Sequence, residues 1–420
     1  MTAVLIGCGD RGKTVYASMQ HRFPDKLKIV AAADTDPERL AAMKRDFDIP
    51  EENLFTDADE LLKKEKMADA AFICTLDRDH YRYAVPAMKA GYHLLLEKPV
   101  SPDIRECAEI ERTARETNRH VVVCHVLRYT AFYRKIKELT DSGAVGKTVC
   151  IQALEPVMYW HQAHSFVRGN WRNSDSTSPM ILQKCCHDFD IFVWLTGKRV
   201  ESVSSFGSLT YFKKENAPEN SGERCTDCKI EADCPYSALK LYLRHLREGN
   251  RGWPVSVACP DPTEEKLMSA LREGPYGRCV FRCDNNVVDH QVVNLLMEDG
   301  VTVNFTMCAF TKPGGRKIRI MGTEGEIEAD FDENIIFVRP FGKEDYQIDV
   351  RTLTDDFGGH GGGDAAMMLD FVDLVKNGNK AQGITSVDVS LESHYAALAA
   401  EKSRVRGGEL INIKEFVNGK

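Results

Sequence analysis

The short apolar run Val4-Leu5-Ile6 opens directly into Gly7-Cys8-Gly9-Asp10-Arg11-Gly12. Glycines in the pattern G-x-G-x-x-G let a strand turn tightly into a helix and let a pyrophosphate approach the amides at the helix start. Continued by Lys13-Thr14, the same residues also fit the phosphate-binding pattern G-x-x-x-x-G-K-T. Residues further along the chain separate the two readings. A second apolar run ends in Asp34, about 20 residues after Gly12, where a carboxylate would take the hydroxyls of an adenosine ribose. Thr35 and Asp36 come next, with no Arg in the immediate turn to hold a 2′-phosphate, which favours NAD over NADP. A triphosphate site would want a metal-binding Asp after a later strand, yet Ala70–Thr75 runs into Cys74-Thr75-Leu76. The loop therefore points to a dinucleotide, with Gly7, Gly9, Asp10, Arg11, Gly12 and Asp34 around it.

A second concentration of chemistry is the segment Tyr159-Trp160-His161-Gln162-Ala163-His164-Ser165-Phe166-Val167-Arg168-Gly169-Asn170-Trp171. Aromatic faces stack on the C–H surfaces of sugars, while Arg, His and Asn direct hydrogen bonds to hydroxyls. Tyr159, Trp160, His161, His164, Arg168 and Trp171 are thus candidate substrate contacts, and Arg128, at the end of a linker strand, is within reach of the same pocket. Trp and Arg are also enriched where subunits meet, so an oligomer contact competes with that reading. His161 and His164 lie three apart, but no third ligand or H-E-x-x-H pattern makes them a metal pair. His360, set among Gly358, Gly359, Gly361, Gly362 and Gly363, approaches a helix capped by Asp364.

Cysteines form the third group. Cys225-x2-Cys228-x5-Cys234-Pro235 is followed by Cys259, Cys279 and Cys283. Two thiolates in C-x-x-C clasp one tetrahedral ion, and a third nearby leaves one ligand to come from afar. A structural zinc held by Cys225, Cys228, Cys234 and Cys279 is expected, with Cys283 competing for the fourth place. An iron–sulfur cluster fits less well, because the x5 spacing is unlike a ferredoxin run. The surrounding insertion, about 213–289, reads as polar and short of apolar residues, so that a metal would be needed to order it.

These residues need a scaffold. The chain has 420 residues, enough for two or three domains, with 55 Lys and Arg against 63 Asp and Glu, for a net charge of −8. That balance argues against nucleic acid or an anionic membrane as partner. No apolar run approaches a membrane span and no secretory signal precedes the first strand, so a cytoplasmic protein is expected, its 14 cysteines reduced. Residues 1–125 alternate apolar strands with amphipathic helices, which predicts a doubly wound parallel sheet. Residues 126–420 carry longer strands with period-two alternation, including 201–212, 290–297, 301–310, 316–321 and 326–330, and two closing helices. That predicts an α+β domain with a large, mostly antiparallel sheet, in which the Glu298-Asp299-Gly300 link makes 290–310 a hairpin.

Three further stretches resemble the glucose–fructose oxidoreductase/inositol dehydrogenase (Gfo/Idh/MocA) family. Glu97-Lys98-Pro99 follows a strand like that family's E-K-P motif, Thr75 and His80 occupy its T-x-x-x-x-H region, and His187 to Gly197 resembles its H-x-x-D-x-x-x-W-L-x-G helix. The resemblance implies an NAD-dependent enzyme acting on a secondary hydroxyl of a sugar, glycoside or cyclitol, and a homo-oligomer formed through an exposed sheet. It places Thr75, His80, Glu97 and Lys98 at the cofactor, Lys98 at the reacting carbon and His187 as proton acceptor. Alcohol oxidation independently asks for a base beside a hydride acceptor. The family's usual Asp four residues before the His is Gln183 here, and the next residue, Lys184, becomes a candidate substrate contact. Because an amide does not titrate, a redox-neutral glycoside hydrolase or lyase using transient oxidation, and a sugar sensor without turnover, stay open as alternatives.

Overall fold

The computed structural model describes residues 1–377 and 384–419. Its first sheet is parallel, six strands in the order β3-β2-β1-β4-β5-β6. These are β1 (Thr2–Ile6), β2 (Lys28–Ala33), β3 (Leu54–Phe55), β4 (Ala70–Ile73), β5 (His93–Leu96) and β6 (Val121–Val123). Alternate residues of β1 feed different cores: Val4 and Ile6 pack with the helices His80–Lys89 and Ile104–Thr117, Ala3 and Leu5 with Pro37–Phe47. A strand covered on both faces has no solvent side, which explains its unbroken apolar run. The order reverses between β1 and β4, so β1, β4 and β5 all discharge their loops at the crevice where such sheets bind ligands.

The second sheet has nine strands among the described residues, in the order β14-β13-β12-β11-β7-β10-β9-β8-β15. In chain order they are β7 (Thr148–Pro156), β8 (Val200–Ser208), β9 (His290–Met297), β10 (Thr302–Cys308), β11 (Lys317–Gly322), β12 (Gly325–Asp330), β13 (Ile335–Pro340), β14 (Tyr346–Asp349) and β15 (Ile411–Asn412). Only the β7–β10 pair is parallel; β9 and β10 form the antiparallel hairpin. β8 stops at Ser208 rather than at Phe212, because the buried carboxylate of Asp289 accepts the amides of Thr210 and Tyr211 and draws the chain out of the ladder. One face of the sheet packs under the helix Cys186–Thr196 through Phe189, Phe192 and Phe305.

Two expectations change here. The closing helices do not belong to the second sheet alone: Met367 and Phe371 of Gly363–Asn377, and Val387 and Leu391 of Val387–Val405, complete the two cores of the first sheet. The cysteine-bearing insertion is not short of apolar residues either. Its helices Ala238–Arg247 and Glu264–Glu273 enclose a core of Leu241, Tyr242, Val255, Leu267, Leu271 and Tyr276, so no metal is needed for want of burial. No helix among the described residues is long and apolar enough to cross a membrane.

Candidate active site

The loop after β1 is shaped for close approach. Gly7 has φ +92°, and a Cβ there would stand 2.7 Å from the Cys74 backbone; one on Gly12 would stand 2.0 Å from the Gly7 carbonyl oxygen. Gly9 is different. Its nearest neighbour would be Arg39 Nη1 at 3.8 Å, so internal packing does not ask for glycine, whereas a ligand pressed against the backbone would. The Asp34 carboxylate closes the turn, accepting from the Cys8 amide (2.7 Å) and the Asp36 amide (2.9 Å). Beside the loop, Thr75 Oγ1 is buried with no hydrogen-bond partner. An open glycine, an acid at the end of β2 and an unpartnered hydroxyl fit a bound dinucleotide. Lys13 instead pairs with Asp46 at 2.6 Å, which takes its ammonium away from any phosphate and removes the P-loop reading.

Three residues expected at the cofactor serve as struts. Both ring nitrogens of buried His80 meet backbone oxygens, of Pro99 (2.8 Å) and Thr75 (3.1 Å), tying the end of β4 to the turn after β5. Arg11 sends its guanidinium across the crevice to Glu97 (2.6 Å) and Asp364 (2.7 Å). Glu97, 5% exposed, also accepts from Tyr16 Oη (2.8 Å) and from the Lys98 amide (2.9 Å). Burial works against its charge, but Arg11 and Lys98, with the bonds from Arg11 and Tyr16, hold the carboxyl below its ordinary range. Asp10 opens the helix behind the loop, its carboxyl raised by burial. The glycine loop and Lys98 are thereby fixed to each other.

Lys98 Nζ donates to the Gln183 backbone oxygen (2.7 Å) and to Gln183 Oε1 (3.1 Å). An amide therefore receives Lys98 where the related motif carries a carboxylate. His187, on the helix Cys186–Thr196, is 6% exposed, and its Nδ1 has no partner. Burial, reinforced by Lys98, Arg316, His125 and His360, keeps this imidazole neutral well below its ordinary value. Its ring lies 6.0 Å from that of His360, which is bound to Asp364 at 2.9 Å, and 5.8 Å from that of His125. Partly buried His161 joins this group: burial first, then the charges of Lys184, His164, Lys98 and Arg316, push its imidazole well down. Lys184 is held by Glu155 (3.3 Å), and Arg316 bridges Glu155 (2.9 Å) and Asp188 (2.8 Å).

Several expected substrate contacts point elsewhere. Arg128 is 1% exposed and forms a two-bond pair with Asp190 (2.7 and 2.6 Å), inside the protein. His164 Nδ1 lies 2.6 Å from Tyr242 Oη and its ring stacks on Tyr276, in the insertion. Arg168 is likewise buried there, donating to the Arg278 and Tyr236 carbonyls. The corrections at His164 and Arg168 share one cause. Gln162–Arg168 is a π-helix, whose hydrogen bonds reach five residues back, so positions three apart do not share a face. Trp160 packs against Trp253 and His245, Tyr159 against Tyr236, and Trp171 against the main core. Arg316, Glu155, Asp188 and His125 had no motif to mark them, the only signal being a polar residue on an apolar face; Asp190 stands in the H-x-x-D pattern that begins at His187 and Asp364 at the start of its helix, but neither pattern gave their partners. Arg39 was overlooked because it lies outside the immediate turn, yet its Nη1 stands 3.6 Å from Asp34. Cys225, Cys228, Cys234 and Cys279 line one narrow cavity, although no three His, Cys, Asp or Glu among the described residues stand placed to hold an ion.

Comparison with known proteins bears on this geometry. Residues 1–125 match the model of an oxidoreductase family's NAD-binding Rossmann fold, and residues 137–404 match that family's C-terminal alpha/beta domain. A putative oxidoreductase, YteT, of Bacillus subtilis is 24% identical over 397 residues, 87% of each chain. An inositol 2-dehydrogenase of Corynebacterium glutamicum is 28% identical over 200 residues, 47% of this chain and 55% of its own length. Among solved structures, the WlbA dehydrogenase of Bordetella pertussis, in complex with NADH and UDP-GlcNAcA, superposes with a TM-score of 0.71 at 16% identity, over 98% of this chain and 97% of that one. At such identity the likeness speaks for the fold.

Proposed function

The chain belongs to the Gfo/Idh/MocA oxidoreductase family, with its NAD-binding Rossmann domain and its C-terminal alpha/beta domain, and on that premise we propose that it oxidises a secondary hydroxyl of a sugar, glycoside or cyclitol with NAD. The observation that carries this reading is the contact of Lys98, at the end of β5, with Gln183, three residues before the helix that bears His187. It joins the dinucleotide crevice to the second sheet. Bound NAD would supply the hydride acceptor. Gln183 takes two of the Lys98 hydrogens, leaving the third for the substrate oxygen and orienting it. His187, neutral and with Nδ1 unpartnered, is the group that receives the hydroxyl proton. Lys184 and His161 lie close enough to each other and to Lys98 for their charges to interact and favour a polyhydroxylated substrate; inositol 2-dehydrogenases among the relatives agree with that class. Asp34 favours NAD through its charge, and the nearby Arg39 is the residue that would admit a 2′-phosphate if that acid were gone.

Two further parts of the reading concern the whole molecule. The outer sheet face exposes Val149, Phe206, Val292, Leu296 and Phe337, apolar area suited to a second copy of the chain. All fourteen cysteines are free, as a reducing cytoplasm would keep them. A structural zinc in the insertion belongs to this reading as support for a wall and not as a reactant. The function is tested by following NADH absorbance with a panel of cyclitols, sugars and aryl glycosides. Net NADH formation supports the dehydrogenase. Aglycone release without net NADH would replace it with the redox-neutral reaction, and tight binding with neither would leave a sensor.

A further inference from the structure

Arg168 is the least expected charge in the molecule. It is 1% exposed, and among the described residues it forms no ion pair with a carboxylate, its bonds going to two carbonyls and a thiol. Nε donates to the Arg278 carbonyl (2.7 Å), Nη2 to the Tyr236 carbonyl (2.7 Å) and to Cys225 Sγ (3.5 Å), while Nη1 is buried with no partner. A guanidinium cannot shed its proton, so a buried one needs a compensating negative charge. The cavity beside it carries one carboxylate, Glu231, which already accepts the Ser237 hydroxyl, and four thiols that can supply that charge. Arg168 lines a cavity of about 20 Å³ together with Cys225, Cys228, Cys234 and Cys279, room for one small ion. Cys259 and Cys283 are not on it.

Backbone amides around the cavity donate to its sulfurs. The Ala238 amide donates to Cys225 Sγ (3.4 Å) and the Gly222 amide to Cys228 Sγ (3.4 Å), bonds that favour sulfur as an acceptor. A bridge between Arg224 and Arg278, with the Cys279 amide on the Glu223 carbonyl (2.9 Å), brings the distant fourth cysteine beside the C-x-x-C pair. We propose that Cys225, Cys228, Cys234 and Cys279 bind one soft divalent cation, zinc foremost, and that Arg168 is the positioning residue that compensates its tetrathiolate charge. The four sulfurs close on the cavity as the ion enters. Four thiols lose four protons to solvent and gain one divalent cation, leaving a net charge of −2 on the site, half of it balanced by Arg168. Neither a disulfide nor four neutral thiols would offset that guanidinium. The insertion keeps its own apolar core, so the ion fixes the geometry of Gln162–Arg168, the segment that follows His161, without being required for the fold.

The test reads metal and not turnover, so it stands or falls separately from the proposed reaction. The full chain, purified reduced and without chelator, should carry about one zinc per chain, released as a mercurial titrates four thiols. After removal of zinc, Co²⁺ should give the visible bands and sulfur charge transfer of a tetrahedral tetrathiolate. Cys279→Ser should abolish those bands and Cys283→Ser should keep them. Arg168→Met should weaken zinc binding about 10–100-fold in chelator competition, with Arg168→Lys restoring part of it. A trace of metal in the wild-type chain together with no Co²⁺ bands would overturn the site, whether or not any variant folds. Retention of the bands in Cys279→Ser and their loss in Cys283→Ser would overturn the ligand assignment, and unchanged affinity in Arg168→Met would overturn the role given to Arg168.

Discussion

Beneath His187 lies a buried charge whose pH dependence can be worked out. His125 is fully buried, stacked on His394 at 5.3 Å, with Nδ1 2.9 Å from Asp190, the same carboxylate that holds Arg128. Burial works against a charged ring, but Asp190, helped by Cys186, outweighs it and raises the imidazole to about 9 from its ordinary 6.5. Burial likewise opposes the Asp190 charge, yet Arg128 and His125 lower its carboxyl to about 2. Between about 6.5 and 9 the folded chain therefore binds a proton that the unfolded chain does not. His125 stabilises the fold fully below about 6.5, and that contribution is lost as the pH rises through about 9; the gap corresponds to about 3 kcal/mol. For a chain of 420 residues, unfolding with about 2.1 cal/mol/K per residue, that is a fall in Tm of roughly 3–5 °C. The comparison is thermal unfolding of wild type and His125→Gln at pH values on either side of the window. Glutamine does not titrate, so the variant should be less stable in acid yet lose less on going alkaline. Equal alkaline losses in both chains would show that His125 is not the proton carrier.

Gly9→Ala should leave the Tm of the cofactor-free chain within about 1 °C, since its Cβ meets nothing closer than 3.8 Å, yet weaken NADH binding about 10-fold or more in fluorescence titration. A variant that binds NADH normally would place the cofactor elsewhere. Asp34→Ser should shift the NADP-to-NAD preference about 10-fold toward NADP, and adding Arg39→Ala should remove the gain; unchanged preference in the single variant would refute the role of the acid. Arg316→Met leaves Glu155 and Asp188 buried without their shared cation, and chemical denaturation should report a loss of about 3–5 kcal/mol; a neutral outcome would mean Lys184 suffices.

What could be read from the chain tracked the range of each interaction. The glycine loop is local: its φ values and its closeness to Cys74 depend on neighbours in one strand–turn–helix unit, so the spacing of Gly7, Gly9 and Gly12 carried it. The parallel sheet was legible from unbroken apolar runs and the antiparallel one from period-two alternation, for the same reason. The ion network around Arg316 was not, because its partners come from β7 and from the helix Cys186–Thr196. Clustering in sequence misled at His164 and Arg168, where a π-helix turned two polar side chains away from His161 and into the insertion. The insertion was misjudged because its apolar residues, such as Leu241, Val255 and Leu267, are spread thinly and meet only after three separate stretches fold together.

The central claim is that Lys98, held by Gln183, acts at the reacting carbon of an NAD-dependent oxidation. Turnover of Lys98→Met, measured on the best substrate of the panel beside NADH affinity, tests it most directly. NADH binding should stay close to wild type while turnover falls about 10²–10⁴-fold. Turnover at the wild-type rate in Lys98→Met would contradict it.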